Sequence, residues 1–344
     1  FARSRKSGCN FIVLILCFAF SRFVWKKQYI INILFFLLFA GINIANAASI
    51  PVAIYTWIKF LEFFLLGYYI VKTKVQLSAI SSLLSAGILY SSLIAIGQFV
   101  LQHSIGGPLW FLGERTFTST TPGIALFGGS QQLLRPYATF PHPNVLGGFL
   151  AVTLPLLINK LEKKRYLIIF VLGIIALVLT LSRSAIVVGG LAVVLTIART
   201  MNKKIFFLTS SLFILLFVLF IQVNFQEESV VVREQLNIAA IKLWTTVPIF
   251  GVGLGNFLVT LPAVIPTRTI YFLQPVHNIY LLLLSETGAA GLFFFLWFVF
   301  RSSKKFNLSL LALLLLGLVD HYPLSLQQGR LLLTILLSLS IMRP

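Results

Sequence analysis

Apolar runs of about 17–25 residues recur from one end of this chain to the other, and few folds accommodate that pattern. In hydrocarbon every backbone N–H and C=O must be paired within the chain, so such runs become α-helices. Composition agrees. The chain has 344 residues, 58% of them hydrophobic and only 10% charged. Its mean hydropathy is +0.98, well outside the range of a soluble domain. It reads as an all-α polytopic membrane protein, a single integral membrane domain over residues 1–344.

Eleven runs can be drawn, at about 10–25, 29–45, 51–71, 77–102, 145–161, 166–182, 185–198, 205–223, 279–300, 306–319 and 324–342. Clusters of Lys and Arg at 26–27, 72–74, 160–165, 199–204 and 301–305 fall in alternate connections. By the positive-inside rule that side is the cytoplasm. The net charge of +19 is therefore read as topology, and no nucleic acid is expected as a partner. Two loops, about 103–144 and 224–278, then face outward, as do short turns at Arg183 and Asp320. All four histidines and most acids land on that outer face. Arg3, Arg5 and Lys6 also fall there, against the rule. A missing first helix, or an N-terminal segment that does not span, would explain them, and Phe rather than Met as first residue suggests a truncated N-terminus. Cys9 and Cys17 show neither metal spacing nor a disulfide framework.

The loop at 224–278 is the one large polar excursion, and such loops carry chemistry or binding. It opens on an amphipathic helical stripe of Val232, Leu236, Ala239, Ala240, Leu243 and Trp244. Glycines at 251, 253 and 255 follow. With no strand or βαβ unit around them they form no dinucleotide fingerprint, but a tight turn in which Asn256 can face a ligand. The loop closes on His277-Asn278 at the mouth of the next helix; the bland reading is a polar helix start. The other loop holds Arg135-Pro-Tyr-Ala-Thr-Phe-Pro-His142-Pro-Asn144. The prolines stiffen the entry to the fifth run, and Asn144 reads as its N-cap. Arg135 on a rigid loop suits a phosphate. Arg183 could be a second ligand for an anion, or could snorkel to headgroups. Within the runs, Lys59, Glu62, Glu286 and Arg330 lie deep enough that pairing is expected. The alternative is the floor of a cavity.

Taken together, these residues resemble the O-antigen ligase and polymerase superfamily. The resemblance runs from about Glu114 to Arg330. It rests on Arg135 to Asn144, Ser182-Arg183, Pro248 to Phe257, and His277-Asn278 followed by Glu286-Thr287-Gly288. Asp320-His321-Tyr322 and Gln327-Gln328-Gly329-Arg330 look like one branch of it. It implies a GT-C-type helical bundle of about 11–12 transmembrane helices with a large periplasmic loop. It also implies transfer of a glycan from undecaprenyl diphosphate to an acceptor hydroxyl on lipid, glycan or protein, at the outer side of the cytoplasmic membrane. By the same resemblance Arg135 and Arg183 hold the donor diphosphate and His277 activates the acceptor. His142, Asn144, Asn256, Asn278, Glu286, His321 and Arg330 are supporting candidates. No cofactor or metal is expected, and Asp320 is the chain's single aspartate, so no paired-Asp motif can form. A flippase for lipid-linked saccharides shares the scaffold and the arginines. A metal hydrolase using the histidines lacks His-Glu-x-x-His spacing. Ligase and polymerase stay unseparated at this level.

Overall fold

The structure, a computed structural model, describes residues 27–128, 132–200, 210–211, 227–265, 274–302 and 307–342. The first apolar run with Cys9 and Cys17, the run at 205–223, and the lysines at 203–204 and 304–305 lie outside the described residues. Apart from a two-residue antiparallel hairpin, β1 (Leu126–Phe127) and β2 (Leu133–Leu134), the regular structure is helical. Its elements gather into two compact units.

One unit holds α1 (Lys27–Ala45), α2 (Ile50–Thr73), α7 (Glu227–Thr246), α8 (Phe257–Val264), α9 (Ile279–Ser302), α11 (Tyr322–Ser325) and α12 (Gln327–Met342). Here the expected amphipathic stripe is present except at Trp244, which is half-buried and donates to the Pro248 carbonyl. Leu236, Ala239, Ala240 and Leu243 of α7 pack on Phe257 and Leu261 of α8 and Leu282 of α9. Glu234, Gln235 and Lys242 are exposed, while Arg233 and Asn237 are half-buried.

The other unit holds α3 (Leu77–Leu101), the hairpin, α4 (Pro143–Thr153), α5 (Lys164–Leu179), α6 (Arg183–Thr200) and α10 (Leu308–Leu316). α3 packs along α5 and α4 along α6. Small residues allow the second pairing: a Cβ on Gly189 of α6 would meet Ala151 of α4 at 2.7 Å. Apolar helices associate closely through such positions.

Four helices among the described residues are long and apolar enough to cross a membrane: Ile50–Thr73, Ser78–Leu101, Arg183–Thr200 and Ile279–Ser302. Shorter apolar helices occupy Leu34–Ala45 and Gln327–Met342. The fifth apolar run shows why expected spans come out short. Pro155 lacks an N–H and clashes with the preceding turn, so α4 gives way to a 3-10 stretch, Leu154–Lys160. The cap of α4 also differs from expectation. It is His142, whose Nδ1 accepts from the Asn144 amide at 3.1 Å. Pro143 takes the first helical position, where a missing N–H costs nothing, and so moves the cap one residue before it.

Candidate functional site

The 135–144 loop is held from α3. Gln98 is fully buried, and its Oε1 accepts from the Tyr137 and Ala138 amides at 2.9 and 2.8 Å. Its Nε2 donates to Glu114 at 2.8 Å and to the Ala138 carbonyl at 3.1 Å. With all four bonds made, this amide pins the backbone at the motif's centre, where Ala138 has a φ of 48°. Arg135 is pinned too. Its Nε donates to the Thr180 carbonyl at 2.8 Å and its guanidinium to Asn144 Oδ1 at 2.6 Å. Both acceptors are neutral groups, and the two bonds orient the guanidinium. Asn144 thus serves Arg135, and His142 serves the helix start.

Thr180 belongs to the turn that carries Arg183. Leu181 takes a left-handed φ of 50°. This reverses the chain between α5 and α6 almost without a loop and sets Arg183 at the first position of α6. The structure therefore ties Arg135 to the turn of Arg183, within one unit. His277 belongs to the other unit.

In that unit α9 is broken at Gly288, with φ 69° and ψ −175°. The freed backbone groups are taken by the glycine turn. Val252 and Gly253 donate to the Ser285 and Glu286 carbonyls, both at 3.0 Å, and Ala289 donates to the Pro248 carbonyl at 2.8 Å. Asn43, fully buried, joins three elements to this junction. Its Nδ2 donates to the Phe250 and Glu286 carbonyls at 2.7 and 2.9 Å. Its Oδ1 accepts from Trp57 Nε1 and the Leu254 amide at 2.8 and 2.9 Å. Asn256, expected at the surface of the turn, points inward. It is fully buried, accepting from the Ser49 amide at 2.7 Å and donating to the Leu254 carbonyl at 3.3 Å. The turn curls its side chain inward, onto the start of α2.

Glu286 is buried and accepts from the Phe257 amide at 3.1 Å. With Arg330, Ser325, Thr56, Phe60 and Gly255 it lines a cavity of about 200 Å³. Arg330 donates to the Leu324 carbonyl and lies 4.8 Å over the Phe60 ring. The expected acid–base pairing at depth is met by Lys59 and Glu62, 3.0 Å apart on one turn of α2.

Asn278 caps α9, its Oδ1 accepting from the Tyr280 and Leu281 amides at 2.9 and 3.1 Å. This fixes where His277 stands. The His277 and His321 rings meet edge to face, centroids 5.2 Å apart at 72°. His321 Nδ1 is hydrogen-bonded to Ser325 Oγ, and its amide donates to Asp320 at 2.8 Å. Among the described residues the buried His277 Nδ1 has no hydrogen-bond partner. Burial lowers the His277 pKa to about 4; Asp320 pulls it up, while Arg233 and His321 push it down. Burial lowers His321 as well, with Asp320 opposing and Arg233 assisting. Both imidazoles are neutral at neutral pH, the form that can accept a proton.

Sequence reasoning missed Gln98, Glu114 and Asn43. For Gln98 and Asn43 the signal was available, since each is a polar residue inside an apolar run, but position alone does not say whether such a residue meets lipid or backbone; Glu114 lies in the loop beyond, where an acid draws no notice. Among the described residues no three His, Cys, Asp or Glu side chains group in a way that could hold a metal. Compared with known proteins, residues 168–296 match the O-Antigen ligase family. That stretch includes Arg183, the glycine turn, His277 and the break in α9. No curated protein and no solved structure matches the chain.

Proposed function

We propose that this chain, a membrane protein whose residues 168–296 match the O-antigen ligase family, transfers a glycan from undecaprenyl diphosphate to an acceptor hydroxyl. The active side is the periplasmic face of the inner membrane. Arg135 and Arg183 hold the donor diphosphate, because a guanidinium fork neutralises phosphate charge bidentately and so makes the lipid diphosphate a good leaving group. His277 takes the acceptor proton as the glycosidic bond forms, and no metal or cofactor takes part. The observation that carries this reading is the position of His277. It stands at a helix start capped by Asn278, inside the matched stretch, its ring against His321 and its buried Nδ1 without a hydrogen-bond partner among the described residues.

The test is a reconstituted transfer assay. Purified protein is given a labelled lipid-diphosphate glycan and, in turn, a lipid, a glycan and a protein acceptor. His277→Ala should lower turnover roughly a hundredfold or more while donor binding holds. Arg183→Lys should weaken donor binding, because a point charge loses the bidentate fork. Equal loss of donor binding in both would make His277 a ligand and not a base. Transfer to a second lipid-linked repeat, and to nothing else, would make the chain a polymerase. The broken α9 gives one argument for a transporter, since such breaks line substrate paths in transporters. Here the break is filled by the chain's own turn at 248–253. Movement of the lipid-linked glycan without bond formation would decide for transport.

A further inference from the structure

The first part of the loop after α3 does not rise away from that helix. Tyr90, at the middle of α3, donates its hydroxyl to the Leu112 carbonyl at 2.9 Å. Nearer the helix end, Gln98 reaches Glu114 at 2.8 Å. Tyr90 stands eleven residues before Leu101, roughly 16 Å along the axis at about 1.5 Å per residue. Even with the reach of a tyrosine side chain, Leu112 lies well below the end where α3 hands over to the loop. α3 is one of the helices long and apolar enough to cross a membrane. Residues 105–113 therefore run beside its second half, the level that hydrocarbon takes where such a helix crosses a bilayer.

Irregular backbone survives at such a level only with its polar groups paired. Glu114, 3% exposed, supplies that pairing: its two oxygens accept from the Ile105 and Gly106 amides at 2.7 and 2.8 Å. A 3-10 turn follows at Gly107–Trp110. Beyond it Phe111, Leu112, Gly113 and Glu114 each donate to a carbonyl between Pro108 and Trp110. The side chains are of the matching kind. Residues 104–113 carry no charge. Trp110, Phe111 and Leu112 are 60%, 82% and 61% exposed, and the neighbouring face of α3 offers Leu93 and Val100 at 53% and 73%. In water three such residues at a loop tip would be an uncompensated apolar patch.

We propose that residues 105–113 are a re-entrant tip lying in the bilayer, with Trp110, Phe111 and Leu112 packed among lipid acyl chains. Glu114 and Tyr90 are the groups that make this placement tolerable. One closes the loop's free amides, and the other takes the carbonyl at the tip.

The test uses the full chain with Cys9→Ala and Cys17→Ala, reconstituted in phosphatidylethanolamine–phosphatidylglycerol vesicles. A nitroxide is attached through a single cysteine at 110, 111 or 112. Its collisions with oxygen and with a water-soluble nickel chelate are compared with references at 93, on the exposed face of α3, and 120, in the exposed polar loop. Labels at 110–112 should favour oxygen over nickel as position 93 does. Nickel access equal to that at position 120 would put the tip in water and overturn the proposal. Exclusion of both colliders would mean protein covers the tip, as a second copy would, and also overturns it. Tyr90→Phe should move the label at 111 toward nickel; an unchanged ratio removes Tyr90 as the anchor. An unlabelled check uses brominated lipid: Trp110→Phe should delete a strongly quenched component from the native fluorescence. Failure to delete it overturns the proposal without any added probe.

Discussion

A histidine can take a proton from a hydroxyl only while it is neutral, and the surroundings of His277 keep it so. Burial is the largest cause, and Arg233 and His321 add to it against Asp320. The acid limb of the turnover–pH profile should accordingly fall near pH 4 rather than near 6.5. A half-maximum at 6.5 in the reconstituted enzyme would remove His277 as the titrating base. Asp320→Asn should carry the limb lower and Arg233→Gln should raise it. The same shift acts on stability. The unfolded state binds the extra proton between about 6.5 and 4 and the folded state does not. The contribution is therefore complete above 6.5 and is lost as pH falls toward 4. His277 and Asn278 were legible because polar residues where a loop meets an apolar run mark a helix start. Asn256 was not, because its sequence shows a polar residue after three glycines but not that the turn folds it inward. Asn256→Ala should thus depress the melting temperature of the detergent-solubilised protein. A loss of turnover at unchanged melting temperature would return Asn256 to the substrate.

At the scale of elements the decisive feature is the exchange between the 248–253 turn and broken α9. A Cβ on Gly288 would collide with the Ile249 carbonyl, and one on Gly251 with the backbone of Glu286. Both glycines also hold left-handed φ, 69° each. Gly288→Ala should therefore lower the melting temperature sharply. Adding Gly251→Ala should cost less than the sum of the two, since both changes break one junction. Strict additivity in thermal melts would mean that the two positions do not share it. The amphipathic pattern of α7 could be read directly, because a helical period shows in any sequence. The break in α9 could not, because Glu286-Thr287-Gly288 looks the same in a continuous helix. What sets it is the set of donors and acceptors at 248–253, which reach it from a distant stretch of the chain. Gln98 and Asn43 were hidden for the same reason, their partners lying on distant segments.

Across the whole molecule, charge is the organising quantity. The lysines and arginines at 72–74, 160–165 and 301 sit at the ends of apolar helices, while His142, His277 and His321 sit at the opposite kind of connection. The proposed topology rests on that asymmetry and not on helix length, since four helices among the described residues are long and apolar enough to cross a membrane and several other apolar runs fold as short or interrupted helices. The periplasmic placement of the active side stands on this argument, and it can be tested apart from catalysis. Single cysteines at positions 74 and 163 should stay unlabelled by a membrane-impermeant maleimide in intact spheroplasts and become labelled after permeabilisation. Single cysteines at 120 and 319 should be labelled in both. A short re-entrant or interrupted segment changes the side of everything after it, so one reversed position would locate the segment that fails to cross. Labelling at 163 with protection at 120 would turn the second unit over. The 135–144 loop would then face the cytoplasm, where a periplasmic transferase has no use for Arg135.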